Sequence, residues 1–139
     1  MGVTIASDLL ARIGTLAQAS LDREICGLLL GHGDTVVEAR ACRNAHPNPA
    51  TRFEIDPAPL LAAHRAARAG GPRVIGHYHS HPSGAPTPSL TDAACAAPDG
   101  SLWLIAASGE VRAWRAVPHG ALHGRFDPVA LRVIADPAT

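Results

Sequence analysis

The sequence predicts a mixed-sheet α/β sandwich, a β-sheet with helices packed on it. Three observations carry the prediction: short apolar runs of strand length, a 3.6-residue apolar period near the N-terminus, and connections that include both tight hairpin turns and helix-length crossovers. The 139 residues are 47% hydrophobic and 17% charged, which suits one domain over 1–139 whose core needs no disulfide staples.

Taken in order, Ser7-Asp8 followed by Leu9, Leu10, Ile13, Leu16 and Ala17 reads as a capped amphipathic helix over residues 7–20. Residues 25–30 (ICGLLL) form an apolar strand closed by Gly31-His32-Gly33-Asp34, and the alternating residues 35–42 (TVVEARAC) return as its hairpin partner. Residues 44–51 (NAHPNPAT) are a loop, and 53–55 a short strand. Asp56-Pro57 then supplies an N-cap and first-turn proline for a helix that ends at Gly70-Gly71. Residues 73–80 (RVIGHYHS) are a strand, 82–88 a proline-stiffened loop and 89–97 a short helix. A second hairpin joins 101–107 to 111–117 through Ser108-Gly109-Glu110, with 122–126 as an added edge strand and Asp127-Pro128 as the start of a last helix.

Composition removes several function classes. Twelve Arg balance twelve acidic residues, so no net charge draws the chain to nucleic acid, and there is no low-hydrophobicity signature of disorder. No basic residue is Lys, so the chain cannot itself accept a modifier on a lysine amine, though it can act on conjugates of other proteins. No stretch approaches the ~20 apolar residues of a membrane span, and no basic N-terminal region leads an apolar core. Ala6 stands where N-myristoylation after Gly2 needs Ser or Thr. Cys26, Cys42 and Cys95 are odd in number and share no CxxC spacing, which fits a reducing compartment, and a cytoplasmic location is expected. Cys26, inside an apolar run, reads as a buried and inert thiol.

The middle third holds the chemistry. Side chains two residues apart on a strand share a face about 6.5 Å apart, so His79 and His81 can hold one ion, and Pro82 keeps the chain extended at His81. His77 lies on the same face, so spacing alone leaves open which two of the three bind, with His77 also readable as a packed or supporting ring. A catalytic zinc site needs a third protein ligand and an open position. Asp92, in the first turn of the short helix, is the best candidate. Ser89-Leu90-Thr91-Asp92 also fits a capping box, and the two roles are compatible. Glu24, directly before the 25–30 strand, reads by itself as a solvated strand end.

Glu24 with Cys26-Gly27-Leu28-Leu29-Leu30-Gly31, and Gly76-His77-Tyr78-His79-Ser80-His81-Pro82 running on to Ser89 and Asp92, together resemble the JAMM (JAB/MPN-domain) metalloprotease family. Glutamate before the first strand, HxHP, a loop and SxxD occur in that family's order, and the resemblance spans roughly residues 5–117. Asn44 and the stretch Arg52-Phe53-Glu54-Ile55-Asp56-Pro57 look like prokaryotic members. The resemblance implies a cytidine-deaminase-like α/β sandwich, with zinc held by His79, His81 and Asp92. It implies that Ser89 steadies the tetrahedral oxyanion and that Glu24 deprotonates the attacking water and returns the proton to the leaving amine. His77 stands where many relatives carry tryptophan, which argues against its being a ligand.

The implied substrate is the peptide or isopeptide bond after the C-terminal Gly-Gly tail of a ubiquitin-like or β-grasp sulfur-carrier protein, with the loop at 44–52 lying along that tail. At this length there is little room for long inserted segments, which points to a compact prokaryotic type. The rival reading is a catalytically inactive MPN-type interaction scaffold, but every position that such scaffolds lose is retained here. A nucleoside deaminase would need H-x-E with PCxxC, and a helical zinc protease HExxH; neither is present.

Overall fold

The computed structural model describes residues 2–135; the ends of the expected 1–139 unit lie outside them. In chain order the elements are β1 (Val3–Ala6), α1 (Ser7–Gln18), β2 (Cys26–His32), β3 (Thr35–Cys42), α2 (Pro57–Arg68), β4 (Arg73–Ser80), α3 (Leu90–Cys95), β5 (Leu102–Ala107), β6 (Glu110–Gly120), β7 (Gly124–Val129) and β8 (Leu131–Ile134). The eight strands form one mixed sheet in the order β7-β6-β5-β4-β2-β3-β1-β8. β4 and β5 run parallel across the α3 crossover, while β2 pairs antiparallel with both β3 and β4.

Helices cover both faces, as the sequence predicts. Alternation along β2 sends Leu29 toward α1, where it joins Ile13, Tyr78, Leu104 and Ala106, and sends Leu28 and Leu30 to the opposite face against Ala63 and Leu60 of α2. A third apolar cluster, Trp103, Ile105, Trp114, Ala116 and Phe126, lies beneath Ala93 of α3. Tyr78 sits directly across from Gly27, and any Cβ at Gly27 would overlap the Tyr78 ring. Ser108 and Gly109 both adopt positive φ (51° and 78°), the requirement of the two-residue hairpin turn that joins β5 to β6.

Several expectations need correction. The first helix has Ala6 as its N-cap with no side-chain bond, so Ser7 opens the helix and does not cap it, and the unanticipated β1 precedes it. The expected strand at 53–55 is only a single bridge, Asn44 to Ile55, because the neighbouring backbone is spent on the loop. The edge strand expected at 122–126 is present as β7, shifted to Gly124–Val129, with Leu122 bridged to Phe126 inside it. No helix starts at Asp127-Pro128. Phe126 is fully buried against Trp103 and holds the segment extended. Pro128 pairs with Trp114 on an outer strand, where a missing N–H is tolerated. Among the described residues, no helix is long and apolar enough to cross a membrane.

Candidate metal centre

The ends of β2 and β4 that lie side by side bring the site together. Cys26 is paired with His79, and just before β2 the N–H of Ile25 donates to Ser80 Oγ at 2.9 Å while Ser80 N–H donates to the Ile25 carbonyl at 3.1 Å. Glu24 is therefore delivered beside the histidines. It is not the solvated strand end that its position suggests, being only 6% exposed.

The loop after β4 is fixed by its own carbonyls. His81 Nδ1 meets Ala85 O at 2.9 Å, Trp114 Nε1 donates to Pro86 O at 3.0 Å, and His123 Nε2 meets Pro88 O at 3.0 Å. That loop hands the chain to Ser89, the N-cap of α3, whose Oγ accepts the Asp92 N–H at 3.0 Å while Asp92 Oδ2 accepts the Ser89 N–H at 3.0 Å. The capping box is present, and it aims Asp92 at the histidines.

Three donor atoms meet: His79 Nε2 to His81 Nε2 is 3.1 Å, His79 Nε2 to Asp92 Oδ2 is 3.3 Å, and His81 Nε2 to Asp92 Oδ2 is 3.1 Å. Ligands at tetrahedral corners about 2.0–2.1 Å from zinc stand about 3.3 Å apart, so the triangle fits one face of such a site, and two imidazoles with one carboxylate are a catalytic-zinc donor set. The Ala85 carbonyl takes the His81 Nδ1–H, which leaves the Nε2 lone pair free for a cation. His79 has no such partner: its Nδ1 is buried and unbonded, and its ring is instead stacked on Phe53 at 4.2 Å with 17° between planes. Glu24, His79 and His81 also place ligand atoms within 4.8 Å of one another. Glu24 and Asp92 thus both offer a carboxylate to the pair of imidazoles.

The electrostatics separate the two acids. Burial pushes Glu24 up to about 7, with the His81 charge lowering and the Asp92 charge raising it. Burial also acts to raise Asp92, but hydrogen bonds from His79 and His81 outweigh it and hold that carboxyl well below its usual range. His79 is lowered, first by burial. For His81 burial works downward, yet hydrogen bonds to Asp92 and Ala85 leave it raised. Cys26, driven by burial, rises to about 12 and is no nucleophile at neutral pH.

His77 does not join the cluster. Its ring packs against Trp103 at 4.4 Å, its Nδ1 is buried without a partner, and burial, followed by the His79 charge, lowers it to about 3. A cavity of about 250 Å³ adjoins Asp92 and is lined by His46, Arg52, Phe53, His77, Thr91 and Trp103. Phe53 and Ser80, the two side chains that fix a ring and a strand end here, have no spacing rule that would single them out in the sequence.

The profile of a family described as prokaryotic homologs of the JAB domain matches residues 6–117. A desampylase of Haloferax volcanii is 37% identical over 84 residues, 59% of this chain and 60% of that protein. A desampylase of Pyrococcus furiosus is 36% identical over 66% of this chain and 65% of its own. A Thermus thermophilus protein named a probable TtuB-protein conjugate cleaving protease is 43% identical over 35% of this chain and 33% of its own. The matched segment thus spans less than two thirds of each relative. Two solution structures share the fold: one from Desulfitobacterium hafniense (TM-score 0.78, 23% identity, covering 96% of this chain and 94% of its own) and one from Salinibacter ruber (0.64, 26%, 97% and 93%).

Proposed function

The chain belongs to the prokaryotic JAB-domain family, and from that premise we propose that it is a zinc-dependent isopeptidase or peptidase. Its substrate in this reading is the bond after the C-terminal Gly-Gly tail of a ubiquitin-like or β-grasp sulfur-carrier protein. The observation that carries the reading is the 3.1–3.3 Å triangle of His79, His81 and Asp92 donors with the buried Glu24 carboxylate beside it. The relatives named desampylases and a probable TtuB-protein conjugate cleaving protease support small protein modifiers as the substrate class.

His79, His81 and Asp92 would hold the metal. Zinc there would supply Lewis acidity toward the scissile carbonyl and toward water, whose pKa it would bring to about 7. Glu24, the buried carboxylate beside the donor triangle, accepts a proton from the attacking water and passes it to the leaving nitrogen as the C–N bond breaks. Ser89 Oγ already accepts the Asp92 N–H, so its own hydrogen is free to donate to the carbonyl oxygen where charge develops. Removing one such donor costs about 3 kcal/mol of barrier. The tail is assigned to the cavity beside Asp92, along the 44–52 loop, where His46 and Arg52 form part of the wall. The cytoplasm is the proposed compartment, supported by three free thiols at Cys26, Cys42 and Cys95.

The test is Glu24→Gln, assayed by mass spectrometry on sulfur carriers extended beyond Gly-Gly and on TtuB conjugates. The variant keeps a full complement of zinc and loses about 10²- to 10⁴-fold in kcat. A wild-type rate from Glu24→Gln removes Glu24 as the base. A wild-type protein that takes up no zinc and cleaves no carrier is the scaffold of the rival reading.

A further inference from the structure

Glu24 is held by its backbone. Its Oε1 is buried without a hydrogen-bond partner, so no bond to that oxygen aims the carboxylate. Glu24 also lies ahead of β2, outside the sheet pairing. Its N–H instead donates to Pro49 O at 2.7 Å, and its carbonyl accepts from Asn44 Nδ2 at 3.0 Å. Both main-chain groups of the residue are thus spent on a single loop.

Asn44 organises that loop. Its Nδ2 also donates to Arg52 O at 2.9 Å, and its Oδ1 accepts from His46 N–H at 3.0 Å and Glu54 N–H at 3.1 Å. Two donors and two acceptors are all used, the full capacity such an amide offers in this geometry. Three of the four bonds fold the loop upon itself, and the fourth leaves it for Glu24. Aspartate at this position would keep the two acceptor bonds and lose both donor bonds. Glutamine would place its amide one methylene too far out.

We propose that Asn44 is a positioning residue for Glu24, its side-chain amide coupling the shape of the 44–54 loop to the placement of the base. The inference rests on the reading of Glu24 as base in the proposed function. Supporting residues around metal ligands cost about 10- to 100-fold when lost, and a displacement near 1 Å at a reacting group costs about 10²-fold.

The test compares Asn44→Ala, Asn44→Asp, Glu24→Gln and the Glu24→Gln/Asn44→Ala double variant. The substrate is TtuB carrying a fluorogenic amide at its C-terminus; zinc content is measured in every sample. We expect both Asn44 variants to lose about 10- to 100-fold in kcat with zinc unchanged; KM rises as well where the loosened 44–52 loop carries the tail, so the kcat loss is the reading of Glu24 placement. In the Glu24→Gln background the Asn44 substitution then costs less than about twofold, because the residue it acts through is already gone. A rise in KM with kcat intact, or an equal loss in both backgrounds, overturns the proposal. Amide hydrogen exchange supplies a readout free of turnover. In Asn44→Asp the Glu24 N–H loses protection while the amides from Cys26 to Leu30 keep theirs, and unchanged protection at Glu24 also overturns the proposal. If the wild type cleaves no conjugate, the proposed activity fails, and the exchange measurement still decides whether Asn44 holds Glu24.

Discussion

A half-buried imidazole whose Nδ1 has no partner carries a pH signature. Burial keeps folded His77 neutral down to about 3, whereas its ordinary value is 6.5, so between those values the unfolded chain binds the extra proton. Whatever stability the neutral ring allows is complete above about 6.5 and is lost as pH falls toward 3, at up to about 1.4 kcal/mol per pH unit. His77→Phe sacrifices no hydrogen bond at Nδ1, which has no partner, and it keeps an aromatic face against Trp103. Thermal melts at pH 7 and pH 5 should therefore converge for the variant more than for the wild type; parallel losses would mean that His77 is not held neutral. The same residue marks the limit of the sequence reading. Period-two spacing puts His77 on the face of His79, and nothing in that spacing separates a ligand from a packed ring. The separation comes from register: His77 lies opposite Leu28 and Trp103 inside the sheet, while His79 and His81 stand where the strand runs out toward α3.

At the scale of elements, α3 is the piece that turns a strand motif into a site. Six residues are too few to be helical on propensity alone, so the reciprocal bonds between Ser89 and Asp92 matter more here than in a longer helix. Ser89→Ala loses the cap and costs about 1 kcal/mol, whereas Ser89→Gly costs a few tenths, since glycine tolerates the N-cap position. If Ser89 also donates to the developing oxyanion, both variants lose about 10²- to 10³-fold in kcat although only the alanine is less stable in urea. Activity that instead follows stability would reduce Ser89 to a cap. This element was legible because S-x-x-D is a local signal whose bonds close within four residues. The stretch at 127–128 departs from its expected helix for the converse reason: Asp-Pro is an equally local helix-start signal, but the burial of Phe126 against Trp103, far away in the chain, overrides it.

Across the whole molecule, the sheet curls until its ends nearly meet. β7 and β8 are opposite edges of the sheet yet are separated by Ala130 alone, and Ala130 O accepts from Val3 N–H at 2.9 Å. Such closure, like β1, rests on pairings between the two ends of the chain that no local pattern encodes. The candidate metal centre has the same long-range character: Glu24 precedes β2, His79 is the last residue but one of β4, Asp92 lies in α3, and Phe53 comes from the loop before α2. A cation that binds this cluster more tightly than it binds the unfolded chain stabilises by the mass-action term, up to about 4 kcal/mol at a thousandfold excess over Kd. For a chain of 139 residues that corresponds to a rise of roughly 14 °C in Tm. Chelation should lower the wild-type melt by that amount and added zinc restore it, while magnesium, which prefers all-oxygen octahedral sites, should not. Asp92→Asn can still accept the Ser89 N–H through its amide oxygen, so it should melt near the chelated wild type and ignore zinc altogether. A wild-type Tm indifferent to both zinc and chelator would leave the triangle of donors an ordinary hydrogen-bonded cluster and remove the ground for a hydrolytic centre.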